Sequence, residues 1–284
     1  MNQLLPKIPI GQVVSDVVDW IDANLGWLLD AITTVLRFLL NGFQDLLMVL
    51  PPLAMILVLG VIIFFITRKD LRLSLLSIAG LLLIWNLQLW SHAMLTLALV
   101  LSSTIIALII GIPLGILAAN SDTFNAGIRV LLDFMQTMPA FVYLVPAVIF
   151  FSLGNVPGMI ATVVFAMPPA IRLTNLGIRQ IPVELIEVSD AFGATPRQKL
   201  IKVQLPVALP TIMAGVNQCI MLALSMVVIA SMIGAGGLGY QVLVGIQRVN
   251  IAMGFEAGLA IVIIAIILDR ITQNLIKTEK GREE

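Results

Sequence analysis

The residues able to do chemistry in this sequence are few, and most of them lie together. Residues 184–206 read ELIEVSDAFGATPRQKLIKVQLP, where Glu184, Glu187 and Asp190 balance Arg197, Lys199 and Lys202. Elsewhere the reactive inventory is thin. His92 is the one histidine, so a histidine-centred base or a multi-histidine metal site has no second member. It stands near Trp90 and reads as an interfacial histidine in an aromatic belt. Cys219, the one cysteine, lies in an apolar run and reads as a small buried apolar group without an intrachain disulfide. No G-x-x-x-x-G-K-[ST] occurs, so no P-loop here cradles ATP phosphates. GAGGLG at 234–239 matches G-x-G-x-x-G, but no strand precedes it and no βαβ helix follows. It reads as a flexible outer loop and not as a dinucleotide site.

The chain that positions these groups is 60% hydrophobic and 11% charged, with a mean hydropathy of +1.07. Its repeated apolar runs of about 20 residues match the length that crosses ~30 Å of hydrocarbon, which makes it an all-α polytopic membrane protein. Sixteen basic and sixteen acidic residues leave no net charge and no electrostatic case for a nucleic-acid partner. Hydropathy predicts seven spans, at about 51–67, 71–90, 94–119, 129–153, 156–177, 209–233 and 255–275. The organisation expected is an N-terminal amphipathic segment (1–50), a transmembrane domain (51–276) with a cytoplasmic loop (182–206), and a cytoplasmic tail (277–284). The opening MNQLLPKIPIGQVVSD lacks the pattern of a cleaved signal peptide, so insertion is expected to use the spans themselves.

In the first segment Val14, Val17, Val18, Ile21 and Leu25 fall on one helical face and Ser15, Asp16, Asp19 and Asp22 largely on the other. That pattern predicts helices at the outer membrane surface. An extra span over 25–43 is the alternative, and it would move the N-terminus to the inner side. With the tail in the cytoplasm, every Lys and Arg except Lys7, Arg37 and Arg248 falls on cytoplasmic segments or span ends. The positive-inside rule therefore predicts N-terminus out and C-terminus in.

Ionisable residues inside spans are costly and functional by default. Asp133, Arg172, Asp269 and Arg270 all lie near predicted cytoplasmic ends, where pairing is expected. No span carries an acid near its centre, which weighs against an ion-coupled transporter. Pro113, Pro139, Pro146, Pro168 and Pro169 interrupt the spans. Kinks around a substrate route and static packing both account for them. The best route candidates are Met135, Gln136, Thr137, Met138 and Pro139, with Met167, Pro168 and Pro169. Methionine there either contacts a methylated ammonium or fills the core.

Within 182–206, Pro182 suits a first helical turn, and Glu184 and Glu187 suit its positive end. Gly193 permits a turn. Thr195, Pro196 and Gln198 form a capping box for a second helix, which Leu205-Pro206 is expected to end near Gln204. Leu185, Val188 and Phe192 make an apolar stripe that must bury against something. Packing on the chain's own bundle and docking of a cytoplasmic partner both satisfy it; a DNA-reading helix pair fails on charge and tethering.

Glu187-Val188-Ser189, Gly193 with Ala194 after it, and Val203-Gln204-Leu205-Pro206 have the spacing of the loop E-A-A-x-x-x-G-(nine residues)-I-x-L-P of ABC importer permeases. Val188, Ser189 and Val203 depart from the commonest identities. The segments 131–151, 165–182, 215–239 and 268–275, and the N-terminal extension, resemble permeases of the glycine betaine and proline betaine (osmoprotectant) importers. The resemblance implies a type I ABC importer transmembrane domain in a bacterial inner membrane. It implies that the loop, from Glu184 to Pro206, docks on cytoplasmic ATPase subunits. It further implies a second permease copy and an extracytoplasmic binding protein, with no cofactor on this chain and ATP and Mg held by the partner ATPase. Trp20, Trp27, Trp85 and Trp90 are not clustered, so the aromatic cage expected for a quaternary ammonium belongs on that binding protein. Two rivals stay open: an ABC permease for choline, carnitine, proline or methionine, and a secondary transporter that needs no ATPase.

Overall fold

The computed structural model describes residues 10–67 and 70–280. Lys7, Arg68, Lys69 and the tail residues 281–284 lie outside them, as do the side chains of Val14 and of residues 276–280. Among the described residues every regular element is helical. Three helices come first: α1 (Ile10–Met48), α2 (Pro52–Ile66) and α3 (Leu71–Asn86). The bundle follows with α4 (Trp90–Asn120), α5 (Asp122–Thr137), α6 (Leu144–Phe151) and α7 (Asn155–Arg179). A polar helix pair, α8 (Val183–Ala191) and α9 (Pro196–Lys199), leads into α10 (Leu205–Ala230), α11 (Leu238–Gln247) and α12 (Ile251–Lys280).

The spans differ from the seven predicted. Among the described residues five helices are long and apolar enough to cross a membrane, or six when α5 and α6 count as one bent span. The difference lies in the first third of the chain. The expected spans 51–67 and 71–90 are α2 and α3, of 15 and 16 residues. At 1.5 Å per residue each is roughly 22–24 Å long, short of ~30 Å of hydrocarbon. They form a hairpin, with the Asp70 side chain accepting from the N–H groups of Arg72 and Leu73 and the Ser74 hydroxyl donating to the Gly60 carbonyl at 2.8 Å. The stretch expected to hold surface helices is instead one unbroken helix whose residues 15–48 are long and apolar enough to cross. α1 buries Leu36, Leu40 and Leu47 against the bundle. Near its start, Val17, Val18 and Ile21 line one groove with Val145, Ile149 and Phe150 of α6.

The core is the trio α4, α7 and α10, and small residues set its spacing. In lipid, tails are as apolar as leucine, so helices associate through close packing. A Cβ added at Gly111 would stand 3.0 Å from the Ala170 Cβ, and one at Gly115 2.7 Å from the Ile171 carbonyl oxygen. On the other side of α7, Gly177 faces Ala208 and Thr211, and a Cβ added at Gly215 of α10 would stand 3.2 Å from the Pro169 carbonyl oxygen. A polar knot joins α10 to α12: the Asn217 amide donates to Asp269 at 3.1 Å, the Thr272 hydroxyl to Asn217 at 2.5 Å and the Gln273 amide to Asp269 at 2.7 Å.

Pro113, Pro168, Pro169 and Pro210 all sit inside unbroken helices, and Pro168 and Pro169 are buried. Pro139 behaves differently. Met138, denied the helical region by the following proline, is extended at ψ 133°, and the chain bends by 108° between α5 and the segment Ala140–Phe151. The expected span 129–153 is therefore broken at Pro139, one of the prolines expected to interrupt the spans. Replacing Gly115 by Val should cost about 1–3 kcal/mol by overpacking, measured as thermal unfolding in detergent. Gly258→Val, where nothing lies within 4 Å, should stay within about 0.5 kcal/mol.

Candidate functional site

The helix pair 183–199 is held in one shape by local hydrogen bonds. α8 ends in a Schellman arrangement: Gly193, at φ +70°, donates to the Asp190 carbonyl at 2.9 Å, and Ala194 donates to the Ser189 carbonyl at 3.0 Å. A side chain at Gly193 would meet the left-handed penalty. The expected capping box is present. The Gln198 N–H donates to the Thr195 hydroxyl at 3.3 Å, and the Thr195 N–H donates to Gln198 Oε1 at 2.9 Å, with Pro196 in the first turn. Lys199 pairs with Asp190 at 2.5 Å and so ties α9 to α8.

One face of this pair is anchored and the other is bare. Ile186, Leu200 and Leu205 pack on a small core of Ile178, Ile181, Ala208 and Ile212. Ser189 is buried and its hydroxyl donates to the Ile186 carbonyl at 2.8 Å, so it serves the inner face. Val183, Leu185 and Val188 are exposed, and Phe192 is 87% exposed. Glu184 and Glu187 are exposed beside them. The chain's own bundle therefore leaves uncovered the stripe that Leu185, Val188 and Phe192 were expected to bury.

Leu205-Pro206 does not end the second helix. Residues 200–204 form a π turn in which the Leu205 N–H reaches the Leu200 carbonyl, and α10 begins directly after it. The extra residue in the turn absorbs the carbonyl that Pro206 cannot satisfy. Pro196–Ile233 thus forms one helical path of 38 residues.

At the far end of that path the glycine-rich stretch is a fixed turn, not a loose loop. The Gly154 N–H donates to the Ile233 carbonyl at 2.9 Å, the Gly236 N–H to Asn155 Oδ1 at 2.8 Å and the Leu238 N–H to the Thr96 hydroxyl at 2.8 Å. Gly237, at φ +94°, comes so near that a Cβ would stand 2.5 Å from the Thr96 oxygen. His92 lies within 2.9 Å of the Gln241 amide nitrogen, linking α4 to α11. Sequence reading missed Thr96 and Asn155, because a lone hydroxyl and a lone amide in apolar runs carry no spacing signal.

The route candidates fall into two environments. Met135, Leu132 and Ile171 are buried in one cluster against which Met167 packs. The Tyr143 hydroxyl donates to the Met135 carbonyl across the break. Gln136, Thr137 and Pro139 are exposed, while Met138 is half-buried against a separate cluster. Asp133 and Arg172, both expected to be paired, pair with each other at 2.5 Å, and Asp269 is held by amides. Gln218 and Ser225, which sequence reading passed over, are exposed midway along α10. Trp90 is buried and Trp20 and Trp27 are exposed on α1.

Comparison with known proteins follows the same lines. Residues 111–278 match the model of the family described as "Binding-protein-dependent transport system inner membrane component". The chain is 51% identical over 279 residues to the glycine betaine/carnitine transport permease protein GbuB of Listeria monocytogenes serotype 1/2a (strain 10403S), covering 98% of this chain and 99% of that one. It is 48% identical over 278 residues to the glycine betaine transport system permease protein OpuAB of Bacillus subtilis (strain 168), covering 98% of each. A solved chain of the MetNI methionine ABC transporter, in an inward-facing conformation, superposes with a TM-score of 0.61 at 25% identity, over 67% of this chain and 95% of that one.

Two outcomes are expected. Gly193→Val should speed amide exchange across residues 190–198 by destabilising the pair by about 1–2 kcal/mol, with exchange in α7 unchanged. Thr96→Val leaves the buried Leu238 N–H without an acceptor and should cost about 1–3 kcal/mol in thermal unfolding.

Proposed function

From the premise that the chain belongs to the family of binding-protein-dependent inner membrane components, we propose that it imports glycine betaine and related betaines, with ATP hydrolysed by a partner. It is a multi-pass inner-membrane permease subunit of an ABC importer, a transport subunit and not an enzyme. The cargo rests on two relatives named for glycine betaine that align along nearly the whole chain at about half identity. The GbuB name also carries carnitine, which makes carnitine the second cargo to test. Uptake of such solutes serves osmoprotection.

The single observation that carries the coupling role is the bare apolar face of α8. Phe192 at 87% exposure, with Val188 and Leu185, stands on a helix whose opposite face is locked to the bundle. An apolar stripe rimmed by Glu184 and Glu187 fits a cleft on a cytoplasmic ATPase subunit. Ala194, Thr195 and Pro196 hold the turn, and Leu205-Pro206 joins it to the span. The ATP and Mg belong on that partner. An extracytoplasmic binding protein delivers the cargo, and two permease copies face each other across the route.

We place the coupling loop and the C-terminal tail in the cytoplasm on the positive-inside bias of Arg and Lys. In this mechanism ATP draws two ATPase subunits together and carries the α8–α9 pairs with them. The continuous path from Pro196 to Ile233 then transmits that displacement to the outer turn tied to Thr96 and Asn155.

The experiment uses the permease reconstituted with its ATPase and binding protein in proteoliposomes. Wild type should take up radiolabelled glycine betaine only with internal ATP. Phe192→Asp should lose ATPase co-purification and uptake while keeping its thermal stability, because the residue touches little of its own chain. Glu187→Lys should likewise lose uptake. Undiminished uptake by both variants contradicts the coupling role, and uptake that survives ATP depletion but collapses with the ion gradient supports a secondary transporter. Competition by carnitine, choline and proline betaine ranks the cargo.

A further inference from the structure

Between α5 and α7 lies a cleft of about 380 Å³ that the coupling role does not use. Two polar stripes face each other across it. On α5, Asn125, Arg129 and Asp133 follow at intervals of four residues; on α7, Arg172, Asn175 and Arg179 share a face. The arginines are not equivalent. Arg179 is fully engaged: it donates to Asn175 at 2.9 Å and to the Ala118 carbonyl at 2.9 Å, and it pairs with Asp122 at 2.7 Å. Arg172 pairs with Asp133 through one terminal nitrogen, and its Nε is buried without a hydrogen-bond partner. Arg129 is exposed and makes no ion pair or hydrogen bond among the described residues. Three guanidinium groups against two carboxylates leave the cleft with one uncompensated positive charge.

The fold has thus left Arg129, on the first half of α5, with its guanidinium uncommitted. The inner end of the cleft is of opposite character. Leu132 and Ile171, which line it, belong to the apolar cluster that holds Met135 and on which Met167 packs. A cationic wall thus passes into a soft apolar end within one small space.

We infer that this cleft is a transit site for the carboxylate of a small zwitterion, with Arg129 as its anchor and Leu132 and Ile171 beside the methylated ammonium. The inference rests on the betaine cargo proposed above and adds the place where this chain holds it. A guanidinium binds a carboxylate through charge-assisted, paired hydrogen bonds, and Arg129 has all its donors to give. The apolar surface of Leu132 and Ile171 receives methyl groups without demanding hydrogen bonds from them. The engaged Arg172–Asp133 pair keeps the wall polar without competing for the ligand.

The test measures equilibrium binding of radiolabelled glycine betaine to the permease–ATPase complex in nanodiscs, without nucleotide and without binding protein. Wild type should bind saturably. Arg129→Gln should weaken that binding about tenfold, equivalent to ~1.4 kcal/mol, and Arg129→Lys should recover most of it. Competition by choline, which has the ammonium without the carboxylate, should be the same for wild type and Arg129→Gln. No saturable binding in wild type, or equal binding by wild type and Arg129→Gln, overturns the inference. So does an Arg129→Gln variant that loses bound anionic lipid while binding betaine normally. ATP-driven uptake by the same wild-type complex separates the two readings: uptake without cleft binding rejects the transit site alone, and no uptake rejects the betaine importer.

Discussion

Three helices can approach each other closely in this protein only because glycine backbones lie at their crossings, and everything else hangs on that approach. Gly111 and Gly115 let α4 lie against α7, and Gly177 and Gly215 let α7 lie against α10. Lipid offers no hydrophobic reward for pairing two leucine-covered helices, so contact distance decides whether they stay together. With the trio fixed, the Asn217–Asp269–Thr272 knot adds α12, and the hydroxyl of Thr96 is placed where it can receive the Leu238 N–H. A rigid centre of this kind moves as a body.

Rigidity matters because the functional surfaces lie at opposite ends. The α8–α9 pair is stiffened by the Gly193 turn, the capping box and the Lys199–Asp190 pair. Its inner face is clamped by Ile186 and Leu200, while Phe192 and Val188 face outward. The π turn at 200–204 carries the helix past Pro206 without a break, so a push on the loop is passed directly into a span. At the other end Asn155 and Thr96 hold the glycine turn. The 38 residues of helix from Pro196 to Ile233 thereby join the α8–α9 pair to the glycine turn.

Much of this was legible in the sequence, and the failures have physical reasons. The capping box, the turn at Gly193 and the apolar stripe of α8 all follow from local rules, and the structure bears them out; that Asp133 and Arg172 would be paired was expected, but not that they would find each other across 39 residues. Family membership was legible in the Glu187, Gly193, Leu205-Pro206 spacing. Pro206 misled because a proline rule is local, whereas the helix was rescued by the π turn before it. The span over 129–153 breaks at Pro139, as a proline there allows, though hydropathy carried no sign of how sharp the bend at the extended Met138 would be. Spans 51–67 and 71–90 had the composition for crossing, and their helices fell short in length. The stretch 234–239 looked loose because glycine permits looseness; here it permits contact with Thr96 and Val228. The Gly111-x-x-x-Gly115 spacing was in plain view and marked the crossing with α7.

The central claim is that the bare face of α8 is covered by an ATPase subunit. Cys219, the one native cysteine, is buried, so a cysteine placed at Phe192 can be read almost alone. The direct measurement is the rate at which a water-soluble maleimide modifies Phe192→Cys in nanodiscs, with and without the ATPase, against Phe255→Cys on α12 as the reference. The account predicts strong protection at 192 and none at 255 when the ATPase is present. An unchanged rate at 192, with the ATPase shown to be bound, would contradict it.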